Sequence, residues 1–162
     1  MNTLVAAEAM RESWRKTQTA AEALGVKVVS LEVRGPNPDF EGAFQTATSE
    51  RVDALMFQPG GVLLNLHRKR VVELAARSRL PAIYSVSEFV DDGGLMSYAP
   101  DYDDLYRRAA TYVDKILKGA KPADLPIGQP TKFELVINTN VAEQIELPIP
   151  PNVLARADRV IR

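Results

Sequence analysis

The strongest constraint on this chain is a repeated alternation of short apolar runs with longer helix-forming stretches. Asp53-Ala54-Leu55-Met56-Phe57-Gln58, Pro81-Ala82-Ile83-Tyr84-Ser85 and Leu95-Met96-Ser97-Tyr98 are each too short for a helix. Runs of this length and apolarity are what strands buried on both faces of a parallel sheet require. The segments between them carry helical patterns, so the expected fold is a three-layer α/β/α arrangement around a parallel sheet. Right-handed crossovers then gather the loops that follow the strands along one edge, where open α/β sheets bind their ligands.

The remaining segments fill out this plan. Leu4 to Leu24 lacks Gly and Pro and is rich in Ala, Glu, Arg and Lys, which predicts a helix stopped by Gly25. Val26 to Val33 alternates and is β-branched, which predicts a strand, and Gly35-Pro36-Asn37-Pro38 turns the chain. Asp39 starts a helix reaching about Glu50, a second helix spans about Leu63 to Arg79, and Ser87 to Val90 forms a short helical turn. Leu105, Ala109, Tyr112, Val113, Ile116 and Leu117 make an amphipathic stripe ending at Gly119, and its apolar face needs a partner surface. Lys121 to Pro130 reads as an extended connector and Lys132 to Ile137 as a strand. Asn138 or Thr139 caps a short helix, and a last helix is expected from Asn152 to Ile161.

With 162 residues the chain can enclose one core. Its net charge of -1 supplies no field for nucleic acid or an anionic membrane. The absence of cysteine excludes a disulfide framework, thiolate catalysis and Cys-ligated metal. No apolar run approaches a membrane span, and Met1 to Ala9 lacks the pattern of a signal peptide.

Candidate ligand-binding residues lie where strands end. Gln58-Pro59-Gly60-Gly61 offers bare backbone amides to a carboxylate, or is simply a turn that needs glycine. Its spacing matches neither nucleotide fingerprint, Gly-x-x-x-x-Gly-Lys-Ser/Thr nor Gly-x-Gly-x-x-Gly. Tyr84 either packs in the core or forms a shelf for a solute, while Ser85 either caps the next turn or bonds a ligand. Glu88 is a surface carboxylate or a partner for a ligand amine, and Tyr98 faces a cleft or packs on its strand. His67, the only histidine, sits among basic residues and reads as a surface imidazole rather than a catalytic base. No catalytic group, metal site or cofactor is expected.

Three stretches carry a resemblance to one known family: Gly94-Leu95-Met96-Ser97-Tyr98-Ala99-Pro100 with Tyr102 to Ala110, Lys115 to Pro126, and Gln129 to Asn138. In this order they closely resemble the closing part of one family of ABC-transporter substrate-binding proteins. Weaker matches at Ala20 to Val26, Glu32 to Pro36, Val72 to Arg77, Leu80 to Tyr84 and Pro148 to Ile161 extend the resemblance over nearly the whole chain.

The resemblance implies a periplasmic-binding-protein-like fold of type I, with two α/β lobes, of which this chain looks like the second half. Residues 1–97 and 131–162 would form one lobe, and 98–130 a crossover segment belonging to the other. The implied role is capture of a small organic solute, an amino acid or carboxylate, for a membrane permease outside the cytoplasmic membrane. Ala99 stands where the family usually has Gly, which restricts a backbone expected to act as a hinge. Opening on a helix, the chain is expected to leave a sheet edge unpaired, and pairing of two copies in a homodimer is one remedy. The rival readings are a ligand-sensing regulatory domain of the same fold and a flavodoxin-like or Rossmann-like enzyme.

Overall fold

Along the chain the helices precede and separate five short strands, in a computed structural model that describes residues 3–58 and 62–162. These fall into two units, one ending at Asp39 and the other running from Phe40 to Arg162.

The first unit holds α1 (Thr3–Leu24). Gly25 follows with φ 68°, and the Gly25 and Val26 amides donate to the Glu22 and Ala21 carbonyls at 3.1 and 2.9 Å. Such a left-handed residue lets the chain bond the helix's last carbonyls, and glycine adopts it without steric cost. The strand expected at Val26 to Val33 does not form: residues 26 to 33 hold neither helix nor strand, and Val26 and Val29 are exposed. An alternating segment becomes a strand only against a hydrogen-bonded neighbour, and none pairs with it among the described residues.

The second unit is built on a sheet whose spatial order equals its chain order: β1 (Leu55–Met56), β2 (Ala82–Tyr84), β3 (Met96–Pro100), β4 (Phe133–Asn138) and β5 (Arg159–Ile161). β1, β2 and β3 are parallel, as are β4 and β5, but β3 and β4 run antiparallel with Ser97 opposite Val136. The sheet is thus mostly parallel. The antiparallel pair arises because the chain leaves one edge after Pro100, runs out through α6 (Tyr102–Leu117), and returns to the same edge at Phe133.

α2 (Phe40–Ser49) buries Phe40, Phe44 and Ala47, one face at helical spacing. The helix expected over Leu63 to Arg79 is broken at His67 into α3 (Val62–Leu66) and α4 (Arg68–Arg77). At the break the His67 ring lies against that of Phe40 of α2, with centroids 5.4 Å apart. α4 buries Val71, Val72, Leu74 and Ala75. Arg70 ties α4 to α2 by pairing with Glu41, and pairs with Glu73 within α4.

α5 (Glu88–Asp91) adds Phe89 and Val90 to the core, with Val136 and Ile137 of β4 beneath. Each such fully buried side chain is worth about 1.5–3 kcal/mol. α7 (Thr139–Gln144) is capped by Asn138, whose side chain accepts from the Val141 amide at 3.3 Å, and packs Ala142 and Ile145 on Leu95. The final helix is a single turn, α8 (Pro151–Leu154), and the end of the chain is β5 instead. The Asp158 carboxylate accepts from the Leu135 amide at 2.8 Å and the Asp158 amide donates to the Leu135 carbonyl at 2.9 Å. Docked there, Arg159 to Ile161 satisfies its backbone on β4 rather than within a helix.

Candidate ligand-binding edge

The parallel order of β1, β2 and β3 brings Gln58, Ser85 and Asp101 to one edge of the sheet, and the start of β4 joins them there. Pro59, Gly60 and Gly61 lie outside the described residues. Gln58 itself is half-buried just after β1.

Tyr84 is a core residue at this edge, only 2% exposed. Its ring lies 4.8 Å from that of Phe57 and 4.7 Å from that of Phe89, with the planes 15° and 10° apart. Parallel pairing sets Tyr84 beside Ser97, so the two side chains share one face of the sheet. The Tyr84 hydroxyl and Ser97 Oγ are both buried with no hydrogen-bond partner. Burial raises the Tyr84 phenol well above its ordinary value, because the phenolate has nothing there to replace its water. Gly94 closes the other side: a Cβ on it would lie 2.6 Å from Tyr84 Cε2 and 2.7 Å from the Phe89 carbonyl.

Ser85 follows half-buried, and Ser87 rather than Ser85 occupies the position before α5, without a side-chain cap. Glu88 is exposed on the first turn of α5. Tyr98 projects 56% exposed from the middle of β3 and stacks on Phe133 of β4, with centroids 5.4 Å apart and planes at 17°. Phe133 escaped the sequence reading because its partner is set by the antiparallel return of β4, which strand propensity does not encode. Ser97 escaped it because a small polar residue inside an apolar run carries no distinguishing signal.

Beyond the edge stands α6, capped by Asp101, whose side chain accepts from the Asp104 amide at 2.9 Å. The helix has no buried residue. Tyr102, Tyr106, Val113, Ile116 and Leu117 are all exposed along one face. His67 lies beside Phe40, and no group of acidic or histidine side chains suited to a metal ion occurs among the described residues.

A mostly parallel sheet that brings Gln, Ser and Tyr residues to the edge where its strands end is the arrangement at which open α/β folds bind their ligands. The sequence matches the family described as ABC transporter substrate binding protein over residues 5–161, and the chain belongs to that family. It is similar to a solved Streptococcus pneumonia protein described as an ABC domain in complex with L-Trp: 29% identical, TM-score 0.81, covering 94% of this chain and 52% of that one.

A conserved domain protein from Vibrio cholerae is 25% identical with TM-score 0.79, covering 93% of this chain and 50% of its own. A substrate binding protein with adhesive properties from Clostridium difficile, in a ligand-free, open state, shares the fold at 20% identity and TM-score 0.68, covering 94% and 50%. This chain therefore spans about half the length of the solved relatives. No curated protein matched the sequence. The type I periplasmic-binding-protein-like lobe implied by the sequence is the fold found, and transport and solute binding are the family's business.

Proposed function

We propose that this chain is one lobe of a solute-binding component of an ABC uptake transporter, acting by capture and closure rather than by bond chemistry. The observation that carries the reading is the pairing of an open strand-end edge with a helix whose apolar face is uncovered. In this reading residues 1–97 and 131–162 line one wall of the cleft. Residues 98–130 cross over and pack in the opposite lobe, which covers α6.

The solute is a small organic molecule, an amino acid or a carboxylate. Backbone amides of Gly60 and Gly61, next to Pro59, meet its carboxylate, Ser85 and Gln58 supply hydrogen bonds, Glu88 takes an amine, and Tyr98 offers an exposed ring face. Tyr84 acts from behind, as packing under Ser85 and Phe57. Support for an aromatic amino acid comes from the Streptococcus pneumonia relative, described in complex with L-Trp. The partner is a membrane permease and the working place periplasmic or extracytoplasmic; no described helix is long and apolar enough to cross a membrane. Where the opposite lobe is absent, two copies of the chain pair, with the outer edge of β1 as the exposed ladder.

Calorimetric titration with L-tryptophan, L-tyrosine, branched amino acids and small carboxylates tests the proposal, on this chain alone and on a protein carrying both lobes. Saturable heat for at least one solute with both lobes, and none with the chain alone, is expected. Absence of binding in both removes the solute assignment.

A further inference from the structure

Asp101 stands where the chain leaves the sheet for α6, and Lys132 where it returns to β4. The two passages are tied. The Asp101 amide donates to the Lys132 carbonyl at 3.0 Å. One carboxylate oxygen of Asp101 accepts from the Asp104 amide at 2.9 Å, and the other meets Lys132 Nζ at 2.7 Å. A single side chain, 19% exposed, thus holds both the first turn of the helix and the returning strand.

Farther out, α6 and its connector are fastened to one another. Arg108 Nη1 donates to the Gln129 carbonyl at 3.0 Å, and the Tyr112 hydroxyl donates to the Pro126 carbonyl at 2.6 Å. At Gly128 a Cβ would come within 2.7 Å of Arg108 Nη2, so the connector lies flat against that side chain. Helix and connector therefore form one arm, joined to the sheet through two neighbouring backbone passages.

We infer that the Asp101–Lys132 pair is a latch that sets the angle between this arm and the sheet, with Asp101 as its positioning residue. Two adjacent passages alone let an arm swing about their common line; a contact that bridges them with side chains from both restricts that swing. The inference rests on the proposed reading, in which the arm carries the surface that meets the opposite lobe, so the latch would bias how far the cleft stands open.

The arm angle is measured by pulsed electron-spin distances between labels on Lys69→Cys in α4 and Leu117→Cys at the end of α6, in a chain with no cysteine of its own. Asp101→Asn keeps an oxygen for the Asp104 amide and loses the charge; Lys132→Met keeps the stem and loses the ammonium. Each is expected to broaden the distance distribution measurably but modestly, since an ion pair with one exposed partner is a weak restraint. The double variant should be no broader than either single one, because both remove the same contact. Single variants that keep the parent's distribution, or a double variant that broadens by the sum, overturn the latch. No solute enters the measurement, so a protein that binds none of the candidates leaves the result readable.

Discussion

At the scale of single residues, the Tyr84 hydroxyl is the group whose removal says most. It is buried among Phe57, Phe89 and Gly94 with no partner, so the native state bears its desolvation without a compensating bond. Tyr84→Phe should leave stability to denaturant unchanged or raise it by up to about 1 kcal/mol. The same burial fixes a pH dependence. In the unfolded chain the phenol ionises near its ordinary value of 10.0, while in the folded chain it stays protonated to higher pH. Above that value the unfolded state binds fewer protons than the native one, so stability falls as pH rises. Melts between neutral and alkaline pH should show Tyr84→Phe losing less stability than the parent; equal losses would mean that the phenol reaches solvent. The sequence placed Tyr84 at a strand end but left core and shelf open, since the choice depends on rings contributed by β1 and α5.

At the scale of elements, what was legible tracks local chemistry. Helices ending at glycine were read correctly: Gly25 and Gly119 both adopt positive φ just past α1 and α6. α2, α4 and α7 end in the same backbone motif at Arg51, Arg79 and Glu146, with φ of 54°, 51° and 60°. Nothing about arginine or glutamate announces a left-handed residue, so the motif itself could not be read there, although the ends of α2 and α4 were expected near Glu50 and Arg79. Arg51→Gly should therefore raise stability by about 0.5–1 kcal/mol, as glycine takes this conformation without a Cβ clash and the exposed Arg51 side chain is not part of the core. A thermal melt shifted downward would show that the side chain holds the turn. Strands, by contrast, depend on neighbours. Val26 to Val33 has the stronger strand pattern and pairs with nothing described, whereas Arg159 to Ile161, read as helix, is a strand because Asp158 docks it on β4.

At the scale of the whole molecule, the alternation of strands and helices was enough to read the mostly parallel α/β sheet, but not the antiparallel turn-back that throws α6 outward. The amphipathic stripe of that helix was legible as a surface in need of a partner, and Val113 within it and Tyr106 beside it, 55% and 73% exposed, show it uncovered. A face that is merely apolar and one that another lobe covers should respond differently to charge. In this chain Tyr106→Lys together with Val113→Glu removes little buried area, so unfolding should change by no more than about 0.5 kcal/mol. Under the proposed reading, the same pair in a protein carrying both lobes places two charges inside an interface and should cost several kcal/mol, on the order of 2–5. Chemical denaturation of both proteins with and without the substitutions decides between them. A small effect in each would mean that nothing covers α6, and with it the assignment of residues 98–130 to an opposite lobe would fall. A large effect confined to the longer protein would make the stripe the seam along which two lobes are joined, since an unpaired charge is costly only where water has been excluded.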